Sequence, residues 1–263
     1  DPAVDGIVLA TPHSQHARQI KDAAQSGKPV FCEKPVTLTK ESAEDAMDAV
    51  RAAGIVFAAG HNRRFLPAMR MLHELVTTGA LGTIINVEGN MSGHIGGRYQ
   101  SDSWRLDTSE SPAGGLAGSG IHVIDAMIGM LGPIAEVLAD SRRLVHEVTM
   151  DDTTTILMRF ANGPSGYLTC MTATAPIFRI QVFGSDGWAE LVGETTLVHQ
   201  PVSGPRVTHT FAPVSTERAQ LEAFAEAIAT GTPYPIPLDD VIAGVAAFEA
   251  IARSAPERRW TLV

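Results

Sequence analysis

Two apolar rhythms alternate through the first sixty residues, and that alternation narrows the folds open to the chain. Ile7-Val8-Leu9-Ala10 is a short apolar run that breaks at Thr11-Pro12. From His16 to Ser26 the period is helical, with Ala17, Ile20, Ala23 and Ala24 on one face and Gly27 at its end. Val30 to Cys32 reads as a second, buried strand. Thr39 then caps a helix whose face holds Ala43, Ala46, Met47 and Val50, Gly54 closes it, and a third strand spans Ile55 to Ala59. Strands separated by single helices imply right-handed crossovers and a parallel sheet.

In such sheets ligands gather at the carboxyl ends of the strands. The second strand ends there in Glu33-Lys34-Pro35, where Pro35 removes a ladder donor and stops pairing. A Glu-Lys pair by itself also reads as a surface salt bridge. The chain has only four lysines, Lys21, Lys28, Lys34 and Lys40, and of these Lys34 alone falls at a sheet carboxyl end.

Past Ala59 the grammar changes. Gly60 to Phe65 is a polar bridge into a helix from about Pro67 to Thr78, followed by a strand from Thr83 to Met91. A long polar, Gly-rich stretch, Ser92 to Gly115, carries Arg98, Tyr99, Asp102, Trp104, Arg105 and Asp107. Loops of this length are commonly lids or binding loops. Trp104 offers a stacking face and Arg105 a fork-shaped cation suited to a polyhydroxylated or carboxylated substrate, unless the Trp only anchors the loop. Ile121 to Leu131 reads as a buried helix stopped by Gly132-Pro133, with His122 and Asp125 one turn apart. Seven short strand-like runs follow, from Ile134 to Phe211, and two helices, Glu217 to Thr230 and Asp239 to Ser254, close the chain. The expected architecture is α/β joined to α+β: the C-terminal half of a Rossmann-like parallel sheet over residues 1–60, then a larger domain over 61–263 with a mostly antiparallel open sheet packed on helices.

Together these motifs resemble the Gfo/Idh/MocA oxidoreductases, the relatives of glucose-fructose oxidoreductase and inositol dehydrogenase. The resemblance rests on Thr11-Pro12 with His16, Gly27-Lys28-Pro29-Val30 leading into Glu33-Lys34-Pro35, Asn62-Arg63-Arg64-Phe65, and the Gly-rich, His-containing helix entry Gly114 to Asp125. It runs in order over essentially the whole chain. Nothing matches the family's opening strand and Gly-x-Gly-x-x-Gly turn, which cradle a dinucleotide pyrophosphate. The chain enters at what looks like the family's fourth strand, so the expectation is a piece of a longer protein.

The resemblance implies NAD or NADP as cofactor and a hydride passed to or from a sugar, polyol or related hydroxy compound. It implies Lys34 and His122 as catalytic residues, and Thr11, Pro12, His16, Glu33, Lys34, Asn62 and Arg63 on the cofactor side. Substrate contacts would come from Lys34, Trp104, Arg105 and His122. Each has a plainer reading: His16 as helix capping, the arginines as bridges between domains, His122 as a satisfied core histidine. The family's polyol dehydrogenases carry an Asp four residues before this His, where this chain has Gly118. A cis Lys34–Pro35 bond is also implied. Two other activities stay open: an NAD-dependent glycoside-cleaving enzyme, and a non-catalytic binding module.

Composition removes several partners. A net charge of −9 argues against a nucleic-acid surface, and no run of about 18 apolar residues suggests a membrane span. Cys32 and Cys170 give no disulfide framework and suit a reducing cytoplasm. Nine scattered His and two distant Cys do not make a metal site. The expected partners are a small-molecule substrate and further copies of the chain, a homodimer or homotetramer formed through the C-terminal sheet.

Overall fold

The computed structural model describes residues 1–94 and 103–263. Arg98, Tyr99 and Asp102 of the polar stretch lie outside the described residues. Strands β1 (Ile7–Leu9), β2 (Val30–Cys32) and β3 (Phe57–Ala59) form a parallel three-stranded sheet in the order β1-β2-β3. Helices α1 (His13–Gln25) and α2 (Lys40–Ala53) make the crossovers. The Thr39 hydroxyl accepts from the Ser42 N–H, and Gly54 closes α2 at φ 63°. α1 begins three residues earlier than its apolar period suggests and has no side-chain cap of its own.

A 3₁₀ turn, Asn62–Phe65, leads into α3 (Pro67–Thr77) and β4 (Ile84–His94). β4 thus extends three residues into the stretch expected to be loop. Helix α4 (Gly120–Leu131) is buried at every residue but Gly129, which explains its unbroken apolar sequence. Strands β5 (Ile134–Arg142), β6 (Thr153–Phe160), β7 (Ser165–Met171), β8 (Ala173–Gly184), β9 (Gly187–Val192), β10 (Thr196–Pro201) and β11 (Val207–Thr210) follow. Helices α5 (Thr216–Thr230) and α6 (Leu238–Glu257) precede a two-residue strand, β12 (Thr261–Leu262). The nine-stranded sheet has the order β11-β10-β9-β8-β4-β7-β6-β5-β12. All its pairings are antiparallel except β4 with β7.

Strand alternation divides the large sheet into two faces. Val87, Ile156, Leu168, Ile180 and Val182 point inward and are fully buried against α3, α4 and α6. The closest helix contact is at Gly89. A side-chain carbon there would run into Val123 Cγ1 and lie 2.8 Å from Met127 Cε, so only glycine lets α4 approach β4. Leu157, Tyr167, Ile177 and Val192 lie on the opposite face and are exposed. A second core joins the small sheet to the last helices: Phe31, Val30 and Ala58 pack with Phe224, Tyr234 and Val241, and the Phe31 and Phe224 rings lie 6.0 Å apart.

Candidate active site

A cavity of about 190 Å³ opens at the carboxyl ends of β1 and β2. Ala10 and Thr11 line it from β1, Glu33 and Lys34 from β2, and His13 from the start of α1. Trp104, Arg105, Gly114, Gly115, Ala117, Gly118 and Ser119 close it from the segment that leads into α4. That segment doubles back at Ala113 and Gly114, both in the left-handed region at φ 55° and 59°.

Lys34 ties the two halves together. Its Nζ donates to the carbonyls of Ala117 (3.1 Å) and Gly118 (2.7 Å). An ammonium group has three donors, so one remains for a ligand. Desolvation lowers the Lys34 pKa to about 8, with Arg105 and Arg63 acting in the same direction and Glu33 against them. The amine therefore exchanges a proton close to neutral pH. The Lys34–Pro35 peptide is cis. Glu33 folds its carboxylate over Gly60, where a side-chain carbon would lie 3.1 Å from Glu33 Cδ.

His13 sits in the wall, with Nδ1 2.7 Å from the Glu110 carbonyl and its ring 4.9 Å from Trp104 at 88°. Burial brings its pKa down to about 4, so the ring is neutral at pH 7. The Glu110 carboxylate accepts from the Ser14 N–H (3.0 Å) and hydroxyl. It supplies, from 96 residues away, the cap that α1 lacks, a site favourable to an anion. Arg105 lies 4.3 Å over the Trp104 ring. The Trp-Arg pair is thus anchored through His13 and Glu110 to the start of α1.

Not every expected residue lines the cavity. Thr11, Glu33, Lys34, Trp104 and Arg105 do; Pro12, His16, Asn62, Arg63 and His122 do not. His16 is fully buried, with Nδ1 2.9 Å from the Pro35 carbonyl and Nε2 3.0 Å from that of Thr11, so it holds together the two strand ends that form the cavity rim. Asn62 donates to Thr216 (3.1 Å) and Glu217 (2.9 Å). Arg63 pairs with Glu194 and lies 5.8 Å over Phe178. His122 is buried and neutral: burial, then the charge of Lys34, holds its pKa well below the usual histidine range. Among the described residues, its Nδ1 has no partner.

His122 and Asp125 do not meet directly. Asp125 accepts from Arg64 Nε and Nη2, each at 2.8 Å, and Arg64 also reaches Asp240 at 2.9 Å. Gly129 leaves the room for this guanidinium, because a side-chain carbon there would lie 2.6 Å from Arg64 Cζ. Between Asp125 and His122 stands His61, 3.9 Å from the Asp125 carboxylate and 6.0 Å ring to ring from His122. Sequence reasoning placed neither His61 nor His13 in the site. His13 had a signal, since it follows the strand-ending Thr11-Pro12. His61 had none, because its neighbours come from distant segments.

A cavity of about 390 Å³ lies elsewhere, lined by Arg64, Phe65, Met69, Arg70, His73 and Met130. Although larger, it holds neither Lys34 nor a strand end. Arg64 is already committed to two carboxylates there.

Two family models match parts of the chain. Residues 1–61 match the model described as an oxidoreductase family with an NAD-binding Rossmann fold, and residues 69–190 match the GFO/IDH/MocA C-terminal domain. The chain belongs to the Gfo/Idh/MocA family. It is 29% identical over 198 residues to an uncharacterized oxidoreductase, YrbE, of Bacillus subtilis, covering 72% of this chain and 55% of that protein. To the rhizopine catabolism protein MocA of Rhizobium meliloti it is 28% identical over 255 residues, 94% of this chain and 74% of that one. The chain therefore spans little more than half of the first relative's length. Among solved structures it is similar to the aldose-aldose oxidoreductase of Caulobacter crescentus in complex with glycerol, at 27% identity and a TM-score of 0.87, covering 100% of this chain and 80% of that one. As a Gfo/Idh/MocA chain, it has the family's two-sheet architecture, and Lys34 stands just past the end of β2, bonded to the segment that leads into α4.

Proposed function

We propose that this Gfo/Idh/MocA protein is an NAD(P)-dependent oxidoreductase that interconverts a hydroxyl and a carbonyl on a sugar, polyol or related hydroxy compound. The observation that carries this reading is the Lys34 amine, desolvated to a pKa of about 8 at a cavity that joins both sheets. Alcohol oxidation needs a group that accepts the hydroxyl proton, and an amine titrating near the working pH is suited to that task. In this reading Lys34 takes the proton from the substrate oxygen, or returns it during reduction, and His122 is the second proton-handling group. A nicotinamide, when bound, supplies the hydride acceptor or donor.

The residues fit that cofactor. Among the described residues, buried Asn62 Oδ1 and Arg63 Nε have no hydrogen-bond partner, and Glu33 and Thr11 line the cavity. Thr11, Pro12, Glu33, Asn62 and Arg63 are the proposed cofactor-side residues, with His16 fixing the backbone on which Thr11 and Pro35 sit. Trp104 and Arg105 are the proposed substrate-side residues. His122 is offered as neutral, with an unpaired ring nitrogen.

Two further parts of the reading rest on other features. Leu157, Tyr167, Ile177 and Val192, exposed on one face of the nine-stranded sheet, support a homodimer or homotetramer formed through that sheet. Two free, buried cysteines support a cytoplasmic setting. No described helix is long and apolar enough to cross a membrane. The test is a panel of sugars and polyols incubated with the full-length protein and either cofactor, following nicotinamide reduction. Turnover of at least one hydroxy compound is expected. Cofactor binding without turnover of any member, or no cofactor binding, would overturn the reading.

A further inference from the structure

The charge balance of the cavity narrows the substrate class, on the premise of the oxidoreductase reading. Among the described residues, four ionisable side chains line it: His13, Glu33, Lys34 and Arg105. His13 is neutral at pH 7. Glu33 is turned onto the Gly60 backbone and takes the Lys34 N–H at 3.3 Å. Among the described residues Arg105 has no carboxylate partner; its one strong neighbour is the Trp104 ring. Cations therefore outnumber anions in a space of about 190 Å³. Outside the cavity lining, the buried Arg63 Nε and His122 Nδ1 also lack partners among the described residues.

Gly118 gives this surplus a place to be met. Among the described residues, a side-chain carbon at Gly118 would meet only the Gly115 carbonyl, at 3.8 Å, which leaves space beside the Lys34 amine. Among the described residues, no side chain fills it with negative charge. A neutral polyol brings hydroxyls that donate as readily as they accept. A carboxylate only accepts, and a guanidinium fork matches it with two parallel hydrogen bonds. The fork is already set in position by the Trp104, His13 and Glu110 stack, which lowers the ordering cost of binding.

We infer that the substrate is a sugar acid, an aldonate or uronate, whose carboxylate is held by Arg105 in the open space beside Gly118 while its hydroxyl faces Lys34. The test titrates the full-length protein, with and without cofactor, against matched pairs: glucuronate with glucose, and gluconate with glucitol. The acid of each pair is expected to bind 10- to 100-fold more tightly, the range of a charge-assisted hydrogen bond. Arg105→Leu should bring that ratio close to one. Gly118→Asp, which places a carboxylate in the same space, should weaken the acid at least tenfold and shift preference to the neutral partner. Equal or tighter binding of the neutral members, no binding of either acid, or an acid preference that survives both substitutions would overturn the inference. The two readings fail separately. Neutral sugars oxidised with no acid preference would remove the sugar-acid inference and leave the oxidoreductase. Acids bound selectively but never oxidised would do the reverse.

Discussion

Replacing Lys34 with Met should raise stability while removing activity, and the two effects have one cause. The amine is held from its ordinary 10.5 down to about 8. At about 1.4 kcal/mol per pH unit, keeping the ammonium form in the fold at pH 7 costs about 3 kcal/mol. Two carbonyls, Ala117 and Gly118, lose their donor in the variant, at about 1 kcal/mol each. The net expectation is a gain of about 1 kcal/mol at neutral pH, or a Tm higher by about 2–4 °C for a chain of this size. The sign of the pH dependence follows from the lowered folded pKa. Between pH 8 and 10.5 the unfolded chain binds the extra proton, so the parent protein gains stability as pH rises through that window; below it the penalty is complete. The Met variant should lack this rise. Thermal unfolding of both proteins from pH 7 to 10.5 measures it, alongside a fall in turnover of about 10²- to 10⁴-fold. Equal pH slopes in the two proteins, or a variant several degrees less stable at pH 7, would refute the desolvated amine.

Two further outcomes follow from buried charges. Arg64→Met strands Asp125, only 2% exposed, without its bidentate partner and should cost about 3–5 kcal/mol by urea unfolding; adding Asp125→Leu should recover much of the loss, and a more damaging double variant would contradict the pairing. Asp152 is buried, which raises its pKa, but the N–H groups of Leu144, Val145 and His146 at 2.9, 2.6 and 2.9 Å overcome this and hold it below the usual range. Its stabilisation is present above pH ~4 and is lost as pH falls through the folded value, so Asp152→Asn should lose about 2 kcal/mol at pH 7 and show a flatter acid limb, as followed by circular dichroism.

What could be read in advance was local. The small parallel sheet follows from apolar runs separated by helix periods, and Lys34 stands out because it alone among four lysines ends a strand. Trp104 and Arg105 were legible as a stacking face and a fork. The missed features join distant segments. Glu110 caps α1 across 96 residues, His61 lies between His122 and Asp125 of α4, and the parallel pairing of β4 with β7 depends on sheet order. β12 was missed because two residues show no period. His122 and Asp125 share a helix face, as their spacing suggests, yet Arg64 draws the carboxylate away. The polarity of the Ser92 to Gly115 stretch predicts a loop, but β4 continues to His94.

The central claim is that the Lys34 amine exchanges the substrate proton near neutral pH. The most direct measurement is the pH dependence of nicotinamide reduction by the full-length protein with a substrate that it turns over. The rate of alcohol oxidation should rise with pH through an apparent pKa of about 8, and that limb should vanish in Lys34→Met. A profile flat across that range, or one unchanged by the substitution, would contradict the account.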